Sequence, residues 1–105
     1  MDSEILLKIL KHAPIEPNQL SLAQQLGFSI GKTHYILKAL IGKGLIKAER
    51  FAHSDNKLKY RYVLTPQGIQ QRIELTENFI KHKKQEYEQL SQELEELKSA
   101  QTEKN

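Results

Sequence analysis

From Ile69 to Leu97, the residues at alternating steps of four and three are Ile69, Ile73, Thr76, Ile80, Lys83, Tyr87, Leu90, Leu94 and Leu97. All but Thr76 and Lys83 are apolar or aromatic, and the stretch contains neither Gly nor Pro. A heptad stripe of this kind is the signature of a long helix that pairs along one narrow seam. Thr65 supplies an N-cap and Pro66 occupies the first helical position, where a missing N–H costs nothing. The helix is expected to run to about Lys98, roughly 50 Å at 1.5 Å per residue, with residues 99–105 as a frayed tail.

Such a helix either folds back as an outer wall of its own domain or pairs with another chain. The stretch from Ile80 onward exceeds what a domain this small can cover, so a homodimer is expected through Ile73, Ile80, Tyr87, Leu90, Leu94 and Leu97. A parallel pair would set Arg72 against the partner's Glu77 and Glu93 against the partner's Lys98. An antiparallel pair, or a bundle that also uses the first helix, fits the same seam. Lys83 is a defect that either fixes the register or lets its stem snorkel outward.

The residues before position 66 read as a compact body. Ile5, Leu6, Ile9 and Leu10 fall at helical spacing over residues 3–12, and Pro14 and Pro17 make a loop of residues 12–19. Ser21 reads as the N-cap of a second short helix, with Gln24 completing a capping box and Gly27 ending it. Ser29 caps a third helix that runs to about Lys43, with Thr33, Ile36, Leu37, Leu40 and Ile41 as its apolar stripe and Gly44 as its stop. Two short helices around a tight glycine turn are the helix-turn-helix pattern. The period then changes to two. Residues 45–51 and 58–64 read as strands around the turn-forming run 53–57, a hairpin with a polar, cationic tip. The fold class expected is mainly α with one small β-hairpin. A winged helix-turn-helix would fill residues 1–65 and a long dimerisation helix residues 66–98.

Charge points to the partner. Residues 1–65 carry ten Lys/Arg against five Asp/Glu, whereas residues 66–105 carry six against eight, and the two parts sum to the overall +3. The excess is sharpest in residues 29–61, with eight cations against Glu49 and Asp55. A local basic excess fits a polyanion partner. With Thr33, Leu37, Leu40 and Ile41 turned to the core, Gly31, Tyr35 and Lys38 face outward at 100° per residue, flanked by Lys32 and His34. This is the face a recognition helix offers to the major groove of double-stranded DNA. Ser29 places the helix N-terminus as a phosphate site. The absent side chain at Gly31 permits close backbone approach. Arg50, His53, Lys57 and Lys59 of the hairpin are placed to follow an adjacent backbone or minor groove, while Ser54 and Asn56 are either turn-formers or contacts.

Other classes find little support. The chain has no cysteine, and His12, His34, His53 and His82 show no ligand spacing, so neither a metal site nor a cofactor is expected. Pairs such as Glu95 and Glu96 lie on the long helix as solvated faces. There is no Ser/His/Asp constellation and no phosphate-cradling glycine loop, so no enzyme activity is expected. The acidic start, Met1-Asp2-Ser3-Glu4, is unlike a secretory signal, and no apolar run is long enough to span a membrane, which reads as a cytoplasmic protein. Two alternatives to a sequence-specific regulator stand. One is a winged helix that binds another protein, which would favour an apolar exposed patch on the same face. The other is a nonspecific architectural DNA binder.

Several runs carry a resemblance. They are Leu26-Gly27-Phe28-Ser29-Ile30-Gly31-Lys32, Tyr35-Ile36-Leu37-Lys38-Ala39-Leu40-Ile41, Lys43-Gly44-Leu45-Ile46-Lys47, Ser54-Asp55-Asn56-Lys57, Tyr60-Arg61-Tyr62 and Leu64-Thr65-Pro66-Gln67-Gly68-Ile69. Together with Phe51 and Glu86-Tyr87-Glu88 they resemble the MarR-like winged-helix regulators, and more narrowly the exopolysaccharide-associated MarR-family transcriptional regulators. The resemblance implies a dimeric bacterial transcription factor encoded near surface-polysaccharide genes. No ligand-binding residue of the broader family carries over, and no small-molecule effector is assigned.

Overall fold

The computed structural model describes residues 1–52 and 58–103. The hairpin tip 53–57, with His53 and Lys57, lies outside the described residues. The elements in order are α1 (Ser3–His12), α2 (Gln19–Leu26), α3 (Ile30–Gly42), β1 (Ile46–Ala52), β2 (Leu58–Leu64) and α4 (Pro66–Glu103). The chain divides into two compact units, Met1–Leu75 and Thr76–Asn105.

Local chemistry sets the helix ends in the first unit. The Asp2 carboxylate accepts from Glu4 N at 2.7 Å and starts α1. α2 begins earlier than its Ser21 cap would place it: Asn18 is the N-cap, its Oδ1 accepting from Ser21 N at 2.8 Å. Pro17 fixes the backbone just before Asn18, whose side-chain oxygen reaches forward over the first helical turn. Gly27, at φ 74°, closes α2, and Phe28 N donates to Ala23 O at 3.0 Å. Ser29 caps α3, with Oγ accepting from Lys32 N at 3.1 Å. Gly44, at φ 76°, closes the following turn as Leu45 N donates to Leu40 O at 3.0 Å. Both closures place glycine where an L side chain is strained.

The core lies among α1, α2, α3 and β1. Ile9, Leu10, Leu22, Leu26, Ile36, Leu37, Leu40 and Ile46 are buried, with Leu64, Leu75 and Tyr62 packed against them. Among the described residues Thr33 is the buried polar one, and its hydroxyl donates to Ser29 O at 2.9 Å. Ile41 departs from the expected stripe and is 38% exposed. Thr33, Ile36, Leu37 and Leu40 span a narrow arc at 100° per residue, and Ile41 falls at its edge.

β1 and β2 pair antiparallel, with Ile46 opposite Leu64, Glu49 opposite Arg61 and Arg50 opposite Tyr60. The strand begins at Ile46, one residue later than expected, because Leu45 still belongs to the helix-closing turn. The passage from β2 into α4 is tied back to that turn. Thr65 N donates to Leu45 O at 3.1 Å, and the Thr65 hydroxyl donates to Gly44 O and accepts from Gly68 N at 3.0 Å. Gly68 sits against the Leu45 backbone: a Cβ there would meet the Leu45 carbonyl carbon at 3.0 Å, with the carbonyl oxygen closer still.

The second unit is a single helical stretch. Helix α4 continues to Glu103 rather than stopping near Lys98, because no glycine or proline interrupts it. Lys83 points its ammonium to Glu86 Oε2 at 3.4 Å and lies 5.2 Å from the Phe79 ring centroid.

Candidate nucleic-acid interface

The capped start of α3 fixes which residues face away from the core. With Thr33, Ile36, Leu37 and Leu40 buried, Gly31, Lys32, His34, Tyr35 and Lys38 are all exposed, Tyr35 by 75%. Ser29 is exposed at the helix start. A Cβ at Gly31 would meet nothing within 4 Å, so this position faces open space. From Ser29 to Ala48 there is no Asp or Glu. The face therefore has cations and hydrogen-bonding groups and no acidic residue on its own helix. Lys32 Nζ sits over the Phe28 ring, 4.0 Å from its centroid, which holds the exposed ammonium beside the helix start.

The hairpin adds a second cationic element. Arg50 is exposed and stacks over Tyr60, 5.5 Å from guanidinium carbon to ring centroid. Glu49, the acidic residue of the described hairpin, is held by Arg61 at 3.0 Å across the strands. Its charge is thus offset within the sheet, and Arg50 is not drawn to it. Lys59 is placed by its backbone opposite Phe51. Its side chain, like His53 and Lys57, lies outside what is described.

One connection was not visible in the sequence. The Gln19 side-chain amide nitrogen lies 2.6 Å from the Tyr62 hydroxyl and 3.3 Å from His34 Nδ1. A residue of α2 thereby links α3 to β2. A shallow groove lined by Pro17, Asn18, Gln19, Tyr60 and Tyr62 runs beside this link.

The seam residues are exposed in the single chain. Ile73 is about half exposed in the first unit. In the second unit, Ile80, Tyr87, Leu90, Leu94 and Leu97 are each exposed by half or more. Phe79 joins Ile80 and Tyr87 along a shallow apolar depression on the helix, a contribution that a strict heptad count does not pick out. No described helix is long and apolar enough to cross a membrane.

No family model and no curated protein matches this chain. Solved structures do. A PadR-like transcriptional regulator from Bacillus cereus aligns with a TM-score of 0.70 at 20% identity, covering 83% of this chain and 92% of that one. MarR of Staphylococcus aureus, solved with salicylate and kanamycin, aligns with a TM-score of 0.64 at 22% identity over 83% of this chain, which spans only 55% of that MarR. The S. aureus MepR–DNA complex aligns with a TM-score of 0.63 at 24% identity, covering 97% of this chain and 72% of that one. At these identities the likeness is one of architecture, and it agrees with the element order, the two-stranded wing and the long C-terminal helix: this chain has the winged-helix fold that these transcription regulators share.

Proposed function

We propose that this protein is a sequence-specific DNA-binding transcriptional regulator that acts as a homodimer and catalyses no reaction. The observation that carries the reading is the outward face of α3, with Lys32, His34, Tyr35 and Lys38 exposed and no acidic residue between Ser29 and Ala48. The MepR neighbour, solved with DNA, supports the same use of the fold. In this reading α3 enters the major groove, and Lys38, His34 and Tyr35 reach base edges. Ile30 and Tyr35, exposed by 52% and 75%, offer apolar area suited to thymine methyl groups. Ser29, Gly31 and Lys32 meet phosphate near the helix start, and Arg50 and Lys59, with His53 and Lys57 of the tip, follow an adjacent backbone. The seam along α4 joins two copies, which sets two recognition helices against a palindromic site. Surface-polysaccharide genes are the first place to seek operators, on the resemblance carried by the motifs around Gly31 and Asn56.

Lys38→Ala tests the assignment. It is expected to weaken binding to the cognate site by about 1–3 kcal/mol and to relax preference at one base position. Competition binding against single-base variants of the site measures this. A loss that is uniform across sequences would assign Lys38 to phosphate, and no loss would remove it from the interface.

A further inference from the structure

We infer that Gln19 is a positioning residue of the DNA-reading face, holding the His34 ring so that it presents an Nε2–H donor to the duplex and tying that ring to the wing through Tyr62. The inference rests on the DNA-binding reading of α3. Gln19 is half-buried at the first turn of α2, where Asn18 caps the helix and Pro17 precedes it. Its amide nitrogen has two protons. It donates to the Tyr62 hydroxyl oxygen at 2.6 Å and lies 3.3 Å from His34 Nδ1, toward which an amide N–H can only donate. A neutral imidazole that accepts at Nδ1 carries its proton on Nε2, since the hydrogen bond made by one ring nitrogen sets the state of the other.

The consequence is chemical. With the proton on Nε2, His34 is a donor toward the groove. Its complement is an acceptor, either guanine N7 or O6 on a base edge or a phosphate oxygen. Were the proton on Nδ1, the same ring would present a lone pair and repel those acceptors. Gln19 thus selects what His34 can recognise. The linkage joins α2, α3 and β2 through one amide, which fixes the orientation of the ring. Tyr62 is itself packed against the core, which gives the amide a fixed anchor.

The first arm of the test uses the intact wild-type protein. Long-range proton–nitrogen NMR of the neutral His34 imidazole should show the Nε2–H tautomer, and a Nδ1–H tautomer would overturn the proposal. The second arm measures DNA affinity for wild type, Gln19→Leu, His34→Ala and the double variant, with Tyr62→Phe as a second way to loosen the anchor. Gln19→Leu should weaken binding roughly fivefold, the scale of one hydrogen bond. It should produce no further loss in the His34→Ala background, because Gln19 acts only through that ring. Gln19→Leu binding within about twofold of wild type, or losing equally with and without His34, would overturn it. A loss confined to the cognate site identifies a base edge as the acceptor, and an equal loss on scrambled DNA identifies phosphate. If wild type bound no DNA at all, the functional reading would fail, while the tautomer measurement would still decide what Gln19 does to His34.

Discussion

Gly68→Ala is expected to lower the stability of the fold by about 3 kcal/mol, at the upper end of what overpacking costs in a well-packed site. The size follows from what the new methyl would meet. It would press on the Leu45 carbonyl group, whose carbon is 3.0 Å away, and on Leu45 Cα at 3.4 Å. These are backbone atoms that cannot swing aside as a side chain can. They are also committed: Leu45 O accepts from Thr65 N, and Leu45 N closes the turn after α3 onto Leu40 O. Relief would require moving the start of α4 away from that turn, which would strain the Thr65 bonds to Gly44 and Gly68. The ordinary gain from replacing a helical glycine by alanine, about 1 kcal/mol, offsets only part of the cost. Gly31→Ala is the matched control. It is also helical, its Cβ would enter open space, and it should leave stability unchanged or slightly raised. Urea unfolding at one fixed protein concentration compares them. Equal midpoints for Gly68→Ala and wild type would mean that α4 does not start against Leu45 as described.

Joint replacement of Leu90 and Leu94 by lysine is expected to convert the proposed dimer to monomers. Both side chains are more than half exposed in the single chain, with Leu94 at 52% and Leu90 at 65%. Buried against a second copy, each leucine contributes about 1.5–3 kcal/mol. Four such residues leave the dimer interface, and four charges enter the seam. The dimer dissociation constant should rise by at least about four orders of magnitude. Sedimentation equilibrium reads the change directly. The helical signal should also fall, because a long polar helix draws most of its stability from its packed face. Affinity for a two-half-site duplex should drop toward that of a single half-site. A double variant that still sediments as a dimer would place the pairing surface elsewhere, with α1 as the next candidate.

Most of the fold was legible because its punctuation is local. Gly27, Ser29, Gly44 and Thr65 each act on the turn in which they sit, and a single sequence reveals such residues. The strand β2 alternates Leu58, Tyr60, Tyr62 and Leu64 against Lys59, Arg61 and Val63, and it spans that alternating run, Leu58–Leu64. Structure and sequence pattern part where two local signals compete or where a boundary has no signal. Asn18 and Ser21 are both good caps, and the chain uses the one beside Pro17. Ile41 is apolar, but sits at the margin of an arc already filled by four residues. Nothing in residues 99–103 stops a helix.

The candidate interface was legible in a different sense. The outward face of α3 follows from the buried one, so Gly31, Lys32, His34, Tyr35 and Lys38 could be placed by counting. The link from Gln19 to Tyr62 spans 43 positions and that to His34 spans 15, and no periodicity encodes such a contact. The same holds for Gly68, whose reason for being glycine is a carbonyl 23 positions earlier in the chain. Both depend on tertiary approach, which a pattern of helices and turns does not contain.

The most direct test of the central claim is a titration of the purified protein, at near-physiological salt, against DNA from upstream of its own gene and a scrambled duplex of equal length. Tight binding to the first with a preference of about a thousandfold or more is predicted. Weak and equal binding to both, or none even at low salt, would contradict it.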